Sequence, residues 1–86
     1  MLTGNQIRIA RFARRLSVAE LADKVGISVR TLKRIEATDG VPSSSAATIM
    51  ALQACLEHEG IEFIGAPDDA PGIRIHEPAS RERAED

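Results

Sequence analysis

The chain has no tryptophan, no tyrosine and only two phenylalanines, Phe12 and Phe63. Its core must therefore be built from Leu, Ile, Val and Ala. The single cysteine, Cys55, excludes an intrachain disulfide framework and leans towards a reducing compartment. No apolar run approaches the ~20 residues of a membrane span. The N-terminus lacks the apolar core of a signal peptide. A cytoplasmic protein with no membrane partner is expected. At 86 residues it should form one domain with one modest core. A chain this small often gains stability by oligomerising.

Catalytic patterns are lacking too. There is no Ser-His-Asp set, no phosphate loop and no carboxylate pair with a cleft to hold it. Cys55, His58 and His76 have no second Cys or Glu-His spacing, so they do not make a metal site. Cys55 reads as a small core residue. The expectation is a protein that is not an enzyme, with no metal, no cofactor and no small-molecule ligand.

Net positive charge is also absent: the formal charge is −2. The charges are segregated, however. Residues 1–41 carry eight basic and four acidic side chains, a balance of +4. Residues 42–86 carry three and nine, a balance of −6. Such asymmetry suggests a basic working surface and an acidic remainder.

Four helices are expected, over about residues 5–15, 18–25, 29–36 and 44–59. Thr3 or Asn5 caps the first. It has two apolar faces, Ile7 with Ala10 and Ile9 with Phe12 and Ala13, and so two things to pack against. Ser17 and Glu20 make a capping box for the second helix. Val18, Leu21, Ala22 and Val25 form its stripe, and Gly26 stops it. Ser28 caps the third, whose buried stripe is Leu32 and Ile35. In the fourth, Ile49, Leu52, Cys55 and Leu56 face the core. The period then changes to alternation in Ile61–Ile64 and Ile73–His76. The turn-rich link Gly65–Gly72 reads as an eight-residue hairpin loop. Residues 77–86 have no apolar pattern and are expected to be a flexible tail.

Residues 18–37 form one unit. Ala22 lets a second helix approach closely, Gly26 makes the sharp turn, and Leu32 and Ile35 pack back onto Leu21, Ala22 and Val25. These are the dimensions of a helix-turn-helix with one side of its second helix left free. That free side is polar and basic. The segment Leu16-Ser-Val-Ala-Glu-Leu-Ala-Asp-Lys-Val-Gly-Ile-Ser-Val-Arg-Thr-Leu-Lys-Arg-Ile-Glu36 resembles the Cro/lambda-repressor-like (XRE-type) helix-turn-helix proteins. The resemblance spans about residues 5–57. It implies a mainly α fold: a four-helix lambda-repressor-like domain, here followed by a short C-terminal β-hairpin.

The resemblance implies roles by position. The helix from Ser28 would lie in the major groove of double-stranded DNA. Val29, Arg30 and Arg34 stand where bases are usually faced; Arg can fork onto guanine and Val can touch a thymine methyl. Arg15, Ser17, Ser28, Thr31 and Lys33 would meet phosphates. Arg11 and Glu36 match a pair that often forms a buried ion pair in this family. Two departures stand out. Val18 replaces a usual Gln that tends to contact phosphate, and Arg15 replaces a frequent Gly.

The stretches Leu56–Ile64 and Pro71–Ile75 are similar to a subset of the family with such a hairpin. A lone hairpin is marginal in water and needs cover. The Ile9/Phe12 face could supply some, and a second subunit the rest. Ile61, Phe63, Ile64, Ile73 and Ile75 are therefore expected to dimerise the chain. The organisation expected is a DNA-binding domain at 1–60, a dimerisation hairpin at 61–76 and the tail. The function expected is that of a small bacterial or phage transcriptional regulator, a homodimer on a palindromic site, cytoplasmic and on the nucleoid when bound. Two alternatives are an autoregulating antitoxin and a protein-interaction module that no longer binds DNA.

Overall fold

The structure, a computed structural model, describes residues 1–77. The expected tail therefore lies, Glu77 apart, outside the described residues. The elements are α1 (Gly4–Ala13), α2 (Val18–Val25), α3 (Val29–Glu36), α4 (Ala46–His58), β1 (Ile61–Ala66) and β2 (Asp69–Ile75).

Each helix starts on a hydroxyl. Thr3, Ser17, Ser28 and Ser45 accept from the backbone N–H of Gln6, Glu20, Thr31 and Thr48. Each such cap stabilises its helix by about 1 kcal/mol. In α1 and α2 the reciprocal bond from Gln6 or Glu20 completes a capping box. The turn between α2 and α3 depends on Gly26, which sits at φ 83 and returns its N–H to the Ala22 carbonyl.

Two helix limits differ by two residues from the sequence expectation. The first helix ends at Ala13, not Arg15, because Arg15 swings to φ 57. The arginine itself does not announce that left-handed turn; the one sign is that Arg15 stands where the family frequently has Gly. The fourth begins at Ala46, capped by Ser45, rather than at about residue 44.

The core is aliphatic. Ile7, Leu21, Leu32, Ile35, Leu52 and Leu56 are completely buried, joined by Ala10 and Ala22. Each large side chain removed from water stabilises the fold by about 1.5–3 kcal/mol. The start of α1 lies hard against the end of α3 at Gly4. A Cβ there would run into the carbonyl oxygens of Ile35 and Thr38. The Gly4 N–H donates to the Gly40 carbonyl at 2.8 Å, which fastens the loop after α3.

The hairpin is antiparallel, with Ile61 opposite Ile75, Phe63 opposite Ile73 and Ile64 opposite Gly72. The eight-residue loop is corrected: pairing resumes at Ala66 and Asp69 across an irregularity, so only Pro67 and Asp68 form the turn. Gly65 at φ 79 and Ala70 at φ 52 absorb the bulge. Gly and Pro in this link mark a bulged pair of strands, not an open loop.

What holds the hairpin down is Gln6. Its amide Nε2 donates to the carbonyls of Ile64 (3.1 Å) and Gly72 (2.8 Å), one from each strand. The expected apolar cover is absent in large part. Phe12 is 65 % exposed and Ile9 36 %, so this second face of α1 stays open to solvent. The core-side residues of the hairpin are Ile61, buried, and Phe63 and Ile73, half-buried against the main core.

Candidate nucleic-acid interface

The buried stripe of α3, Leu32 and Ile35, turns the remaining positions outward as a consequence of helical period. Val29, Arg30, Lys33 and Arg34 are exposed on that outer side, with Thr31 half-buried. The first turn is rigid. The Ser28 hydroxyl accepts from the Thr31 N–H at 3.0 Å and donates to the Thr31 hydroxyl at 2.9 Å.

The three side chains assigned to bases are not alike in their freedom. Val29 and Arg30 project without side-chain partners among the described residues. Arg34 is engaged: its Nη1 donates to the Ser43 carbonyl at 2.7 Å, bridging the end of α3 to the loop before α4. Sequence spacing alone gave no sign of that tie.

Of the phosphate-side residues, Arg15, Ser17 and Ser28 are exposed, as is Lys33. Ser17 and Ser28 spend one lone pair on their helix caps and keep the other. Arg15, Arg30 and Lys33 form no ion pair with any acid among the described residues. Val18, in contrast, is half-buried against the core and offers DNA no polar group.

Three other cations of the basic half, Arg8, Arg11 and Lys24, are occupied, whereas the side chain of Arg14 makes no ion pair among the described residues and its buried Nε has no partner. Arg11 forks onto Glu36, Nε to Oε2 at 2.8 Å and Nη2 to Oε1 at 2.9 Å, and its Nη1 donates to the Leu16 carbonyl at 2.9 Å. The pair ties α1 to the end of α3. Arg8 donates to the Glu36 carbonyl at 2.8 Å, to the Asn5 side chain, and to Asp39 at 3.4 Å. Lys24 lies 3.9 Å from Glu59. These ties fix α3 on the body of the protein and leave a small set of open cations around it.

The nearby Glu20 carboxyl is held below the ordinary 4.5 by the Ser17 backbone N–H and then by the Ser17 hydroxyl. Burial, followed by the charge of Glu59, pushes the Cys55 thiol up, which suits a packed side chain better than a reactive one. Among the described residues no three potential metal ligands come together.

No curated protein matches the chain closely enough to be called a relative. A family model described as a helix-turn-helix domain matches residues 3–56, which takes in all four helices but for the last residues of α4. That match spans more than half of the sequence, and the chain belongs to the helix-turn-helix domain family.

Proposed function

We propose that the protein is a sequence-specific double-stranded DNA-binding transcriptional regulator of the Cro/lambda-repressor-like (XRE-type) group. Residues 1–60 are its DNA-binding domain, α3 enters the major groove, and a homodimer reads a palindromic site in the cytoplasm. One observation carries the reading. A helix whose inner stripe is completely buried presents Val29, Arg30 and Lys33 outward without acidic partners, on the half of the chain with a +4 balance.

In this reading Arg30 forks onto a guanine and Val29 contacts a thymine methyl. Arg34 meets a base with the donors that its Nη1 bond to the Ser43 carbonyl leaves over. Arg15, Ser17, Ser28, Thr31 and Lys33 meet phosphates, with counterion release and a steep salt dependence. The hairpin at 61–76 contributes to the dimer through its open strand edges and through Ile75, 49 % exposed.

Selection from a random DNA library tests the base assignment. Arg30→Ala should relax the preference at one position of each half-site, while Lys33→Ala weakens binding to all sequences alike. An Arg30→Ala protein that selects the wild-type site would sink it. The inward packing of Val18 favours one second reading, an interaction module without DNA binding. No retention on DNA at low salt is the result that reading requires.

A further inference from the structure

Around α3 the cations fall into two kinds. Arg15, Arg30 and Lys33 pair with no acid among the described residues, while Arg8 and Arg11 end on carboxylates. Arg34 is of neither kind. Its Nη1 donates to the Ser43 carbonyl at 2.7 Å, and it pairs with no acid among the described residues. A carbonyl is a dipole without net charge. It orients the guanidinium yet leaves its whole positive charge for another partner. A carboxylate would have taken both the direction and the charge.

The acceptor is held in place by the loop that carries it. On the near side, the Gly4 N–H donates to the Gly40 carbonyl at 2.8 Å. Pro42, next to Ser43, is buried, and its ring locks the chain there. On the far side, the Ser45 hydroxyl caps α4, accepting from the Thr48 N–H at 3.1 Å. Ser43 stays exposed between these fixed points. Its carbonyl therefore keeps a set position beside the outer side of α3.

We infer that the Ser43 carbonyl is a positioning group, which makes Arg34 the stringent guanine reader of the DNA site. The inference rests on the DNA-binding reading. A guanidinium carries five N–H donors in one plane. With one spent on Ser43, the Nε–Nη2 edge still presents two parallel donors, the fork that matches guanine O6 and N7. The plane of that fork is set before DNA arrives. An arginine without an anchor gives up its rotamers on binding, and binding is tighter when that ordering is already done.

Arg30 is the contrast within the same helix. It lies one turn before Arg34 on the same outer side, exposed and without an anchor. Four residues of helix separate the two forks by about 6 Å along the axis, close to two base steps of about 3.4 Å. An unanchored arginine can turn to a neighbouring base or a phosphate when guanine is missing. An anchored one meets guanine or leaves its donors unpaired in the groove, which is the costlier outcome. Each half-site accordingly holds its most exclusive guanine opposite Arg34, and a looser preference about two pairs away opposite Arg30.

The test selects sites from a random DNA library with four full chains. They are the wild type, Arg34→Ala, Arg34→Lys, and a semisynthetic wild-type sequence whose Ser43–Ser44 amide is replaced by an ester. Arg34→Ala identifies the pair that Arg34 reads, as the one whose preference it abolishes. The ester weakens the Ser43 carbonyl as an acceptor and changes no side chain; the Ser44 N–H that it removes makes no backbone bond among the described residues. It should lower guanine discrimination at the Arg34 pair by about fivefold and leave the Arg30 pair unchanged. Arg34→Lys keeps the charge but not the planar fork. It should keep the salt dependence of the wild type and lose discrimination at that pair by about tenfold or more. Thermal unfolding midpoints near the wild type verify folding. The inference is overturned if Arg34→Ala alters no position, or if the folded ester chain or Arg34→Lys discriminates at that pair as the wild type does. In each of those results the wild type still selects a site, so the DNA-binding reading stands. A wild type that selects no site overturns both.

Discussion

At the scale of the residue, the Arg11–Glu36 pair bears most on stability. Its side chains are only 10 % and 6 % exposed, and both guanidinium–carboxylate bonds are short. Removing one partner leaves the other charged, buried and unpaired. Glu36→Ala should cost about 3–5 kcal/mol, measured by urea unfolding. Replacing both, as Arg11→Met with Glu36→Leu, should recover most of that loss. Arg15 presents the opposite case. Its φ of 57 disfavours any side chain, so Arg15→Gly should stabilise the fold by up to about 1 kcal/mol, while removing one open cation. The family resemblance already placed Gly here; only the dihedral supplies the reason. Acid sensitivity is also a residue property. Glu20 is lowered by the Ser17 N–H and Glu62 by its bond from His76, both from the ordinary 4.5. Folded values below unfolded ones give a stabilisation that is complete above 4.5 and fades as pH falls through the folded values. Glu20→Gln keeps the capping box but no longer titrates, so its acid limb should be shallower in a thermal-melt series against pH.

At the scale of the element, α1 is the organiser, and its amide at Gln6 is the least expected part. Gln6 is 3 % exposed, closes the Thr3 capping box through its oxygen and grips both hairpin strands through its nitrogen. Gln6→Glu preserves the box and loses both donors, placing a carboxylate against two carbonyl oxygens. The helix should persist while residues 61–75 lose hydrogen-exchange protection by tenfold or more, since each unpaired buried group costs about 1–3 kcal/mol. The sequence disclosed the Ser17–Glu20 box because its contacts are three residues apart. It did not disclose the Gln6 grip, whose acceptors are backbone carbonyls 58 and 66 residues away. Gly4 is similar: only the packing of α1 on α3 shows that Gly4→Ala must push the two apart, and that variant should be among the most destabilising in a helix-by-helix scan.

At the scale of the whole molecule, charge segregation is the governing property. The eight basic side chains of residues 1–41 are fewer in effect than their count, because Arg8 and Arg11 are paired with Asp39 and Glu36 of the same half. The open set around α3 is Arg15, Arg30 and Lys33, with Arg34 held to its loop. DNA affinity should therefore fall with salt at a slope set by few phosphate contacts per subunit, and Lys33→Ala should reduce that slope by about one. Titrations at several salt concentrations check both. The nine acids after residue 42 bring the net charge to −2 although residues 1–41 balance to +4, so net charge alone misdescribes this protein.

The sequence by itself determined where α2 and α3 start, the sharp turn at Gly26, the aliphatic core and the basic outer side of α3. Caps, glycine stops and helical periods are short-range, so they are written within a few neighbouring residues. Only the tertiary structure decided where the first helix ends, how the hairpin closes, and which cations remain open. Those outcomes depend on contacts between residues tens of positions apart: Arg11 finds Glu36 25 residues away, and Arg34 meets Ser43 across a loop that Gly4 and Gly40 fasten. A charge counted in the sequence becomes available or spent only when packing chooses its partner.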